Sequence, residues 1–104
     1  MLSSLKKLLG IGPKADYAAM VAEGAVIVDV RSPDEFRSGH IKGALNIPLP
    51  SLQSNLAKLK KEKTIITCCA SGMRSAAAKN VLKSKGYTSV YNGGGWMGLQ
   101  HKIR

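Results

Sequence analysis

Short apolar runs alternate with segments of helical periodicity along the 104 residues of this chain. β-Branched and apolar runs predict four strands, at residues 25–30, 44–47, 64–68 and 89–91. Helical spacing and capping residues predict helices between them, at residues 16–23, 32–37, 51–59 and 74–85. Unbroken apolar strands suit a sheet covered on both faces, and strands that alternate with helices build parallel sheets. We therefore predict an α/β fold with a mainly parallel central sheet flanked by helices on both faces.

The start of the second predicted helix carries a specific local signal. Ser32 is followed by Pro33, which fits the first helical position, and by Glu35, which completes a capping box. Gly39 ends the segment. This helix directly follows the first predicted strand.

The first residues differ in pattern from the rest. Leucines at positions 2, 5, 8 and 9 recur at helical spacing, and Gly10, Gly12 and Pro13 stop the helix. We predict a short helix or extension at residues 1–13 and a single domain at residues 14–104. No run approaches the roughly 20 apolar residues of a transmembrane segment, and the start lacks the pattern of a secretory signal.

Charge and cysteine content narrow the class of protein. The net charge of +10 at pH 7 comes largely from lysines, which are clustered at positions 58, 60, 61 and 63 and at 79, 83 and 85. Aromatic residues do not interleave with them as single-strand binding requires, so we predict no specific nucleic-acid partner. A basic surface that attracts small anions fits better, and an acidic protein partner stays open. The two adjacent cysteines favour a reducing, cytoplasmic location.

The strongest chemical signal is a cysteine at the junction of a strand and a helix. Cys69 directly follows the third apolar run, residues 64–68, and precedes a loop of small residues and an arginine. Unpaired N–H groups and the positive end of the helix dipole favour a thiolate there. Gly72 permits a sharp turn, and Arg74 supplies a permanent positive charge. The predicted substrate-binding loop comprises Ala70, Ser71, Gly72, Met73, Arg74 and Ser75.

Several neighbours of this loop have open roles. Cys68 points to the other side of the strand end, where it packs in the core or serves as a second thiol. Arg31, at the end of the first long strand, and Trp96, after three glycines, are candidates for a pocket rim. For His40 we favour a ring bonded to loop backbone over a general base. Two histidines and two adjacent cysteines make no metal-ligand spacing, so neither a metal nor an organic cofactor is predicted.

Two motifs together carry a family resemblance. One is C-x-x-G-x-R-S, beginning at Cys69, and the other is D-V-R-x-x-x-E-F-x-x-G-H-I-x-G-A-x-N-I-P, beginning at Asp29. The chain resembles the rhodanese (thiosulfate sulfurtransferase) family over residues 16–96. The resemblance implies a rhodanese-like domain whose Cys69 takes a sulfur from thiosulfate or a similar donor, holds it as a persulfide and passes it to a thiol or to cyanide.

Other functions stay open at this stage. A persulfide carrier would receive sulfur from a protein partner and act little on free thiosulfate. Cysteine-dependent phosphatases and arsenate reductases also pair a cysteine with an arginine around an anion, but phosphatase loops place one residue more between them than the four found here. Eight residues follow Trp96, too few in our expectation for a closing helix. That expectation leaves the pocket rim open for a protein partner to complete.

Overall fold

The strands form one parallel sheet in the computed structural model, which describes residues 15–104. They are β1 (Val26–Asp29), β2 (Leu45–Asn46), β3 (Ile65–Cys69) and β4 (Val90–Gly95). Their order in the sheet is β2-β1-β3-β4, and every neighbouring pair is parallel. The predicted α/β fold with a parallel sheet is confirmed. The helix predicted within residues 1–13 lies outside the described residues.

Helices cover both faces of this sheet. They are α1 (Tyr17–Ala22), α2 (Pro33–Ser38), α3 (Met73–Ser84) and α4 (Trp96–Ile103), with 3₁₀ turns at Leu49–Ser51 and Gln53–Lys58. On one face Val28 and Ile65 pack with Leu82 of α3, and on the other Ile27 and Ile66 pack with Leu99 of α4. Adjacent strand residues thus enter two separate cores, which explains why the strands read as unbroken apolar runs.

The capping box of α2 is present as predicted. The Glu35 amide donates to Ser32 Oγ at 3.2 Å, and the Ser32 amide donates to a Glu35 carboxylate oxygen at 3.0 Å. This fixes the first turn of α2 directly after β1. The helix predicted at residues 51–59 is instead 3₁₀ structure with a kink at Asn55. The Asn55 amide group donates to the Ser51 carbonyl oxygen at 2.7 Å and so replaces a regular helical bond.

The expectation that too little chain follows Trp96 for a closing helix is wrong. Residues Trp96–Ile103 form α4, and Leu99 is fully buried against the second face of the sheet. The last strand also runs further than predicted, to Gly95. Gly93 permits this because a Cβ there would meet Leu99, Ile66 and the Thr67 carbonyl oxygen at 2.8–2.9 Å. Because glycine has a low propensity for strands, the sequence pattern did not predict this part of β4, although close packing requires glycine there.

Among residues 15–104, no helix has the length and apolar character needed to cross a membrane.

Candidate active site

The Cys69 thiol lies at the carboxyl end of β3, enclosed by the loop that follows. Its side chain is almost completely buried. The Cys69 Sγ accepts a hydrogen bond from the Gly72 amide at 2.9 Å and a second from the Ser75 amide at 3.3 Å. Gly72 has a φ of +105°, a left-handed conformation that side-chain-bearing residues rarely adopt. That turn bends the chain back over the sulfur and begins α3.

The surroundings of Cys69 favour its ionised form. Burial, the largest single effect, raises the pKa of the thiol, since a charge is poorly solvated in the interior. Hydrogen bonding with the Ser75 hydroxyl, together with hydrogen bonds from the amides of Ser75, Gly72 and Ser71, acts in the opposite direction. Together they outweigh burial, and the pKa of Cys69 lies below its usual value. A lowered pKa raises the fraction of thiolate, which is the form in which a cysteine acts as a nucleophile.

Ser75 links the thiol to β4 through a polar network that the sequence did not reveal. Ser75 is fully buried, and its Oγ lies 3.5 Å from Cys69 Sγ and 2.6 Å from Asn92 Oδ1. Asn92 Oδ1 also accepts the Gly94 amide at 2.9 Å. Ser75 was predicted as part of the loop, whereas Asn92 was missed. The available signal was a polar residue before three glycines at the carboxyl end of a strand.

Arg74 was predicted to assist a bound anion, and the structure places its guanidinium against Glu35 of α2. The two N–O distances are 2.7 and 3.0 Å, and both side chains are partly exposed. Hydrogen bonding from Arg74, with further bonds from Ser32, lowers the pKa of Glu35 to about 2. The loop arginine thus ties the active-site loop to the helix that follows β1.

The two candidates for the pocket rim lie together beside the second core. Arg31 is 4% exposed and donates to both Asp29 carboxylate oxygens at 2.7–3.1 Å and to the Gly39 carbonyl oxygen at 2.7 Å. Its guanidinium also lies over the Trp96 ring, 4.8 Å from the centroid. Arg31 thus forms a buried ion pair with Asp29 that is covered by the Trp96 ring, which is an arrangement typical of a structural residue.

Cys68 faces away from the loop. Its side chain is fully buried with Ile27, Ile66 and Leu99 on the second face. Burial, reinforced by the nearby Asp29 carboxylate, raises the pKa of this thiol to about 12, so it stays protonated at neutral pH. The two adjacent cysteines therefore have opposite chemistry, because one accepts hydrogen bonds from the loop and the other lies in an apolar core.

The remaining loop and neighbouring residues complete the site. Ala70, Ser71 and Met73 are exposed, and Met73 keeps 82% of its surface open to solvent. The His40 ring stacks on the Phe36 ring with 3.7 Å between the ring centroids, and its Nδ1 lies 2.7 Å from the Phe36 carbonyl oxygen. Within the described chain, no three His, Cys, Asp or Glu side chains converge as a metal site would require.

Comparison with known proteins gives consistent similarities. Residues 14–102 match the family described as Rhodanese-like domain. The chain is 39% identical over 70 residues to the thiosulfate sulfurtransferase PspE of Escherichia coli, a match that covers 65% of this chain and 67% of PspE. It is 40% identical over 68 residues to the Bacillus subtilis protein YqhL, covering 65% of this chain and 54% of that relative. The chain thus spans only about half the length of YqhL.

A solved structure shows the same similarity in three dimensions. The human single-domain sulfurtransferase TSTD1 superposes with a TM-score of 0.71 at 33% sequence identity. The match covers 81% of this chain and 88% of the human protein. The parallel sheet and the strand-to-helix loop described above are therefore set within a fold that both chains share.

Proposed function

The chain belongs to the rhodanese-like domain family, and on that premise we propose that it is a sulfurtransferase acting through a persulfide on Cys69. The donor is thiosulfate or a similar sulfane-sulfur anion, and the acceptor is a thiol, or cyanide in an assay. The observation that carries the proposal is the buried Cys69 Sγ, which accepts the Gly72 and Ser75 amides at 2.9 and 3.3 Å. Sulfurtransferase names among the relatives support the same class.

In the first step the Cys69 thiolate attacks the outer sulfur of thiosulfate. A bond forms between Sγ and that sulfur, the sulfur–sulfur bond of thiosulfate breaks, and sulfite leaves with the electron pair. One thiolate and one dianion become one persulfide anion and one dianion, so charge and atoms balance. This is covalent catalysis by an activated nucleophile.

In the second step an acceptor thiolate attacks the outer sulfur of the persulfide. The Sγ–S bond breaks, its electron pair returns to Cys69, and the acceptor leaves as its own persulfide, or as thiocyanate when the acceptor is cyanide. Amides of the loop and the start of α3 stabilise negative charge on sulfur throughout. The cycle needs neither a metal nor an organic cofactor, because one thiolate serves as nucleophile and carrier.

Partners and location belong to the same proposal. Two free thiols, one of them activated, fit a reducing compartment such as the cytoplasm. The lysine-rich surface provides positive potential that concentrates an anionic donor and suits an acidic protein partner. No described lysine is engaged in an ion pair, since the salt bridges found within residues 15–104 all use arginine.

The test is intact mass under non-reducing conditions after treatment with thiosulfate. Wild type and Cys68→Ser should both gain the mass of one sulfur atom, and Cys69→Ser should gain none. Cyanide should then remove the added sulfur and release thiocyanate. A gain that persists in Cys69→Ser would contradict the assignment of the carrier.

Two further outcomes separate the alternatives. No gain from thiosulfate, combined with a gain from a persulfidated protein donor, would favour the carrier function over the thiosulfate enzyme. Release of phosphate from an aryl phosphate, lost in Cys69→Ser, would instead favour a phosphatase.

A further inference from the structure

The hydroxyl hydrogen of Ser75 has three possible acceptors beside the active-site loop. The Ser75 hydroxyl carries one hydrogen, and three acceptors surround it: Asn92 Oδ1 at 2.6 Å, the Gly72 carbonyl oxygen at 3.0 Å and Cys69 Sγ at 3.5 Å. A hydroxyl donates once and accepts through its lone pairs. The direction of this one hydrogen therefore decides whether Ser75 donates to the sulfur or accepts from it.

The orientation of the Asn92 amide settles which neighbour receives the proton in this structure. The Gly94 amide donates to Asn92 Oδ1 at 2.9 Å, so this atom is the oxygen and accepts only. Its contact with Ser75 Oγ at 2.6 Å then requires the serine hydrogen between the two oxygens. With its hydrogen turned to Asn92, Ser75 presents a lone pair to Sγ and accepts from the thiol form of Cys69.

We propose that Asn92 is a positioning residue for sulfur transfer, because its side-chain oxygen competes with the Cys69 sulfur for the Ser75 hydroxyl hydrogen. The hydrogen lies on Asn92 while Cys69 is a thiol and turns to Sγ when Cys69 becomes a thiolate. The part of this inference that concerns sulfur rests on the proposed function. The competition itself concerns only ionisation of the cysteine.

The same competition favours the loaded state of the enzyme. When Cys69 takes up sulfur, the negative charge moves from Sγ to the outer sulfur. Sγ is then a neutral atom with one single bond to Cβ and one to the outer sulfur. The Ser75 hydrogen is then free to return to Asn92. Asn92 therefore stabilises the thiol and the persulfide relative to the thiolate, which promotes loading and holds back the emptied, reactive thiolate.

Other charged and titratable groups near the loop are held by partners of their own. They come from β1, the segment between β1 and α2, β3, α2 and α3, and are Asp29, Arg31, Cys68, Glu35 and Arg74. Arg74 is paired with Glu35, and Arg31 with Asp29. Burial keeps Cys68 neutral, with its pKa raised to about 12. Substitutions of Ser75 and Asn92 leave each of these pairs in place, so a change in Cys69 ionisation reports on the hydroxyl.

The test is the pH dependence of iodoacetamide alkylation at Cys69 in a double-mutant cycle. Asn92→Ala should move the midpoint of alkylation to lower pH by about half to one unit, because the Ser75 hydrogen is released to the thiolate. Ser75→Ala should move the midpoint upward. In the Ser75→Ala background the Asn92→Ala substitution should shift the midpoint much less, since the hydroxyl is the direct link between Asn92 Oδ1 and Sγ and the other contact of Asn92, from Nδ2 to the Gly72 carbonyl oxygen, is long at 3.5 Å.

A control and a second variant separate this effect from a structural one. Asn46→Ala removes two side-chain bonds to backbone oxygens, each 3.0 Å long, on the far side of β1 and should leave the midpoint unchanged. Asn92→Asp keeps the shape of the side chain and makes its oxygen a stronger acceptor. It should therefore raise the alkylation midpoint of Cys69, and the rise should be smaller in the Ser75→Ala background. It also serves where Asn92→Ala does not fold. Equal shifts with and without the Ser75 hydroxyl would overturn the proposal.

Sulfur loading gives an independent measurement. At a pH above the alkylation midpoint, where free Cys69 is mainly thiolate, and at a fixed ratio of thiosulfate to sulfite, Asn92→Ala should lower the ratio of persulfide to free Cys69, measured by intact mass, about three- to tenfold. Unchanged loading alongside a shifted alkylation midpoint would overturn the link to sulfur transfer. If no variant forms a persulfide at all, the proposed function fails, and the alkylation cycle still decides the role of Asn92.

Discussion

The Arg74 guanidinium donates two hydrogen bonds, of 2.7 and 3.0 Å, to the Glu35 carboxylate. Glu35 also closes the capping box of α2 by accepting from the Ser32 amide at 3.0 Å. One carboxylate thus joins the start of α2, which follows β1, to the loop that follows β3. The loop that contains Cys69 is thereby held against α2, the helix that follows the neighbouring strand, by a contact between residues 39 positions apart.

The first prediction concerns the contribution of the Arg74–Glu35 ion pair to stability at low pH. The pKa of Glu35 is about 2 in the folded protein, against an ordinary value of 4.5, because Arg74 and the Ser32 backbone bond its charged form. The unfolded chain therefore binds more protons in this range, so the stabilisation is complete above pH 4.5 and is lost as the pH falls towards 2. Glu35→Gln should be less stable than wild type at pH 7, with a difference that shrinks below pH 4.5. Urea unfolding at a series of pH values measures this difference.

A neighbouring carboxylate provides the control for that experiment. Asp34 lies in the same turn and pairs with Arg37 at the surface. Asp34→Asn keeps the Arg74–Glu35 pair and should retain the wild-type dependence of stability on Glu35. A constant difference between Glu35→Gln and wild type from pH 7 to pH 3 would contradict this contribution of the ion pair.

The second prediction concerns the turn at Gly72. A Cβ there would lie 3.5 Å from Gly94 Cα, an ordinary contact, so Gly72→Ala suffers mainly from its φ of +105°. The expected loss of stability is about 1–2 kcal/mol. Relaxation of the turn should also pull the Gly72 amide away from Cys69 Sγ, raise the pKa of the thiol and slow its alkylation at pH 7.

Gly43 offers a matched substitution away from the sulfur. It has a φ of +86°, and no atom lies within 4 Å of where a Cβ would stand. Gly43→Ala should show a similar loss in thermal unfolding with unchanged alkylation of Cys69. If both variants slow alkylation equally, the effect of Gly72→Ala is one of general stability.

The third prediction separates the two cysteines. Cys69 is activated by loop hydrogen bonds, whereas burial raises the pKa of Cys68 to about 12. Thiol titration of the native protein at pH 7 should therefore label one group rapidly, and titration in denaturant should label two. Cys68→Ala should keep the rapid phase and the proposed sulfurtransferase activity, while Cys69→Ala should lose both. Rapid labelling of native Cys69→Ala would show that Cys68 is accessible and reactive.

The fourth prediction distinguishes a structural Arg31 from a residue that lines the pocket. Its ion pair with Asp29 is buried, with side-chain exposures of 5% and 0%. Arg31→Met leaves the Asp29 charge without a partner and should cost about 3–5 kcal/mol in the free energy of unfolding. Arg37→Met, which breaks the exposed pair with Asp34, should cost less than about 1 kcal/mol. A stable Arg31→Met protein with a raised KM for thiosulfate would instead support the pocket rim.

Local signals in the sequence determined most of the framework. The run from Ile65 to Cys69, the capping box at Ser32 and Glu35, and the loop that ends at Arg74 each depend on neighbours a few residues away. Apolar continuity, capping chemistry and the conformational freedom of glycine act over such distances and can be identified without a fold. They were sufficient to predict the parallel sheet and to select Cys69 as the candidate nucleophile.

Contacts between distant residues were decided only by the tertiary structure. Arg74 meets Glu35 across 39 positions and Ser75 meets Asn92 across 17, while α4 closes the second face through the buried Leu99. Side-chain partners of this kind depend on which strands are neighbours in the sheet and which way each residue faces. The sequence singled out Cys69 as the candidate nucleophile because the groups that bond its sulfur lie within its own loop. Asn92, Glu35 and the other residues that contact this loop come together only when β1, β3 and β4 lie side by side.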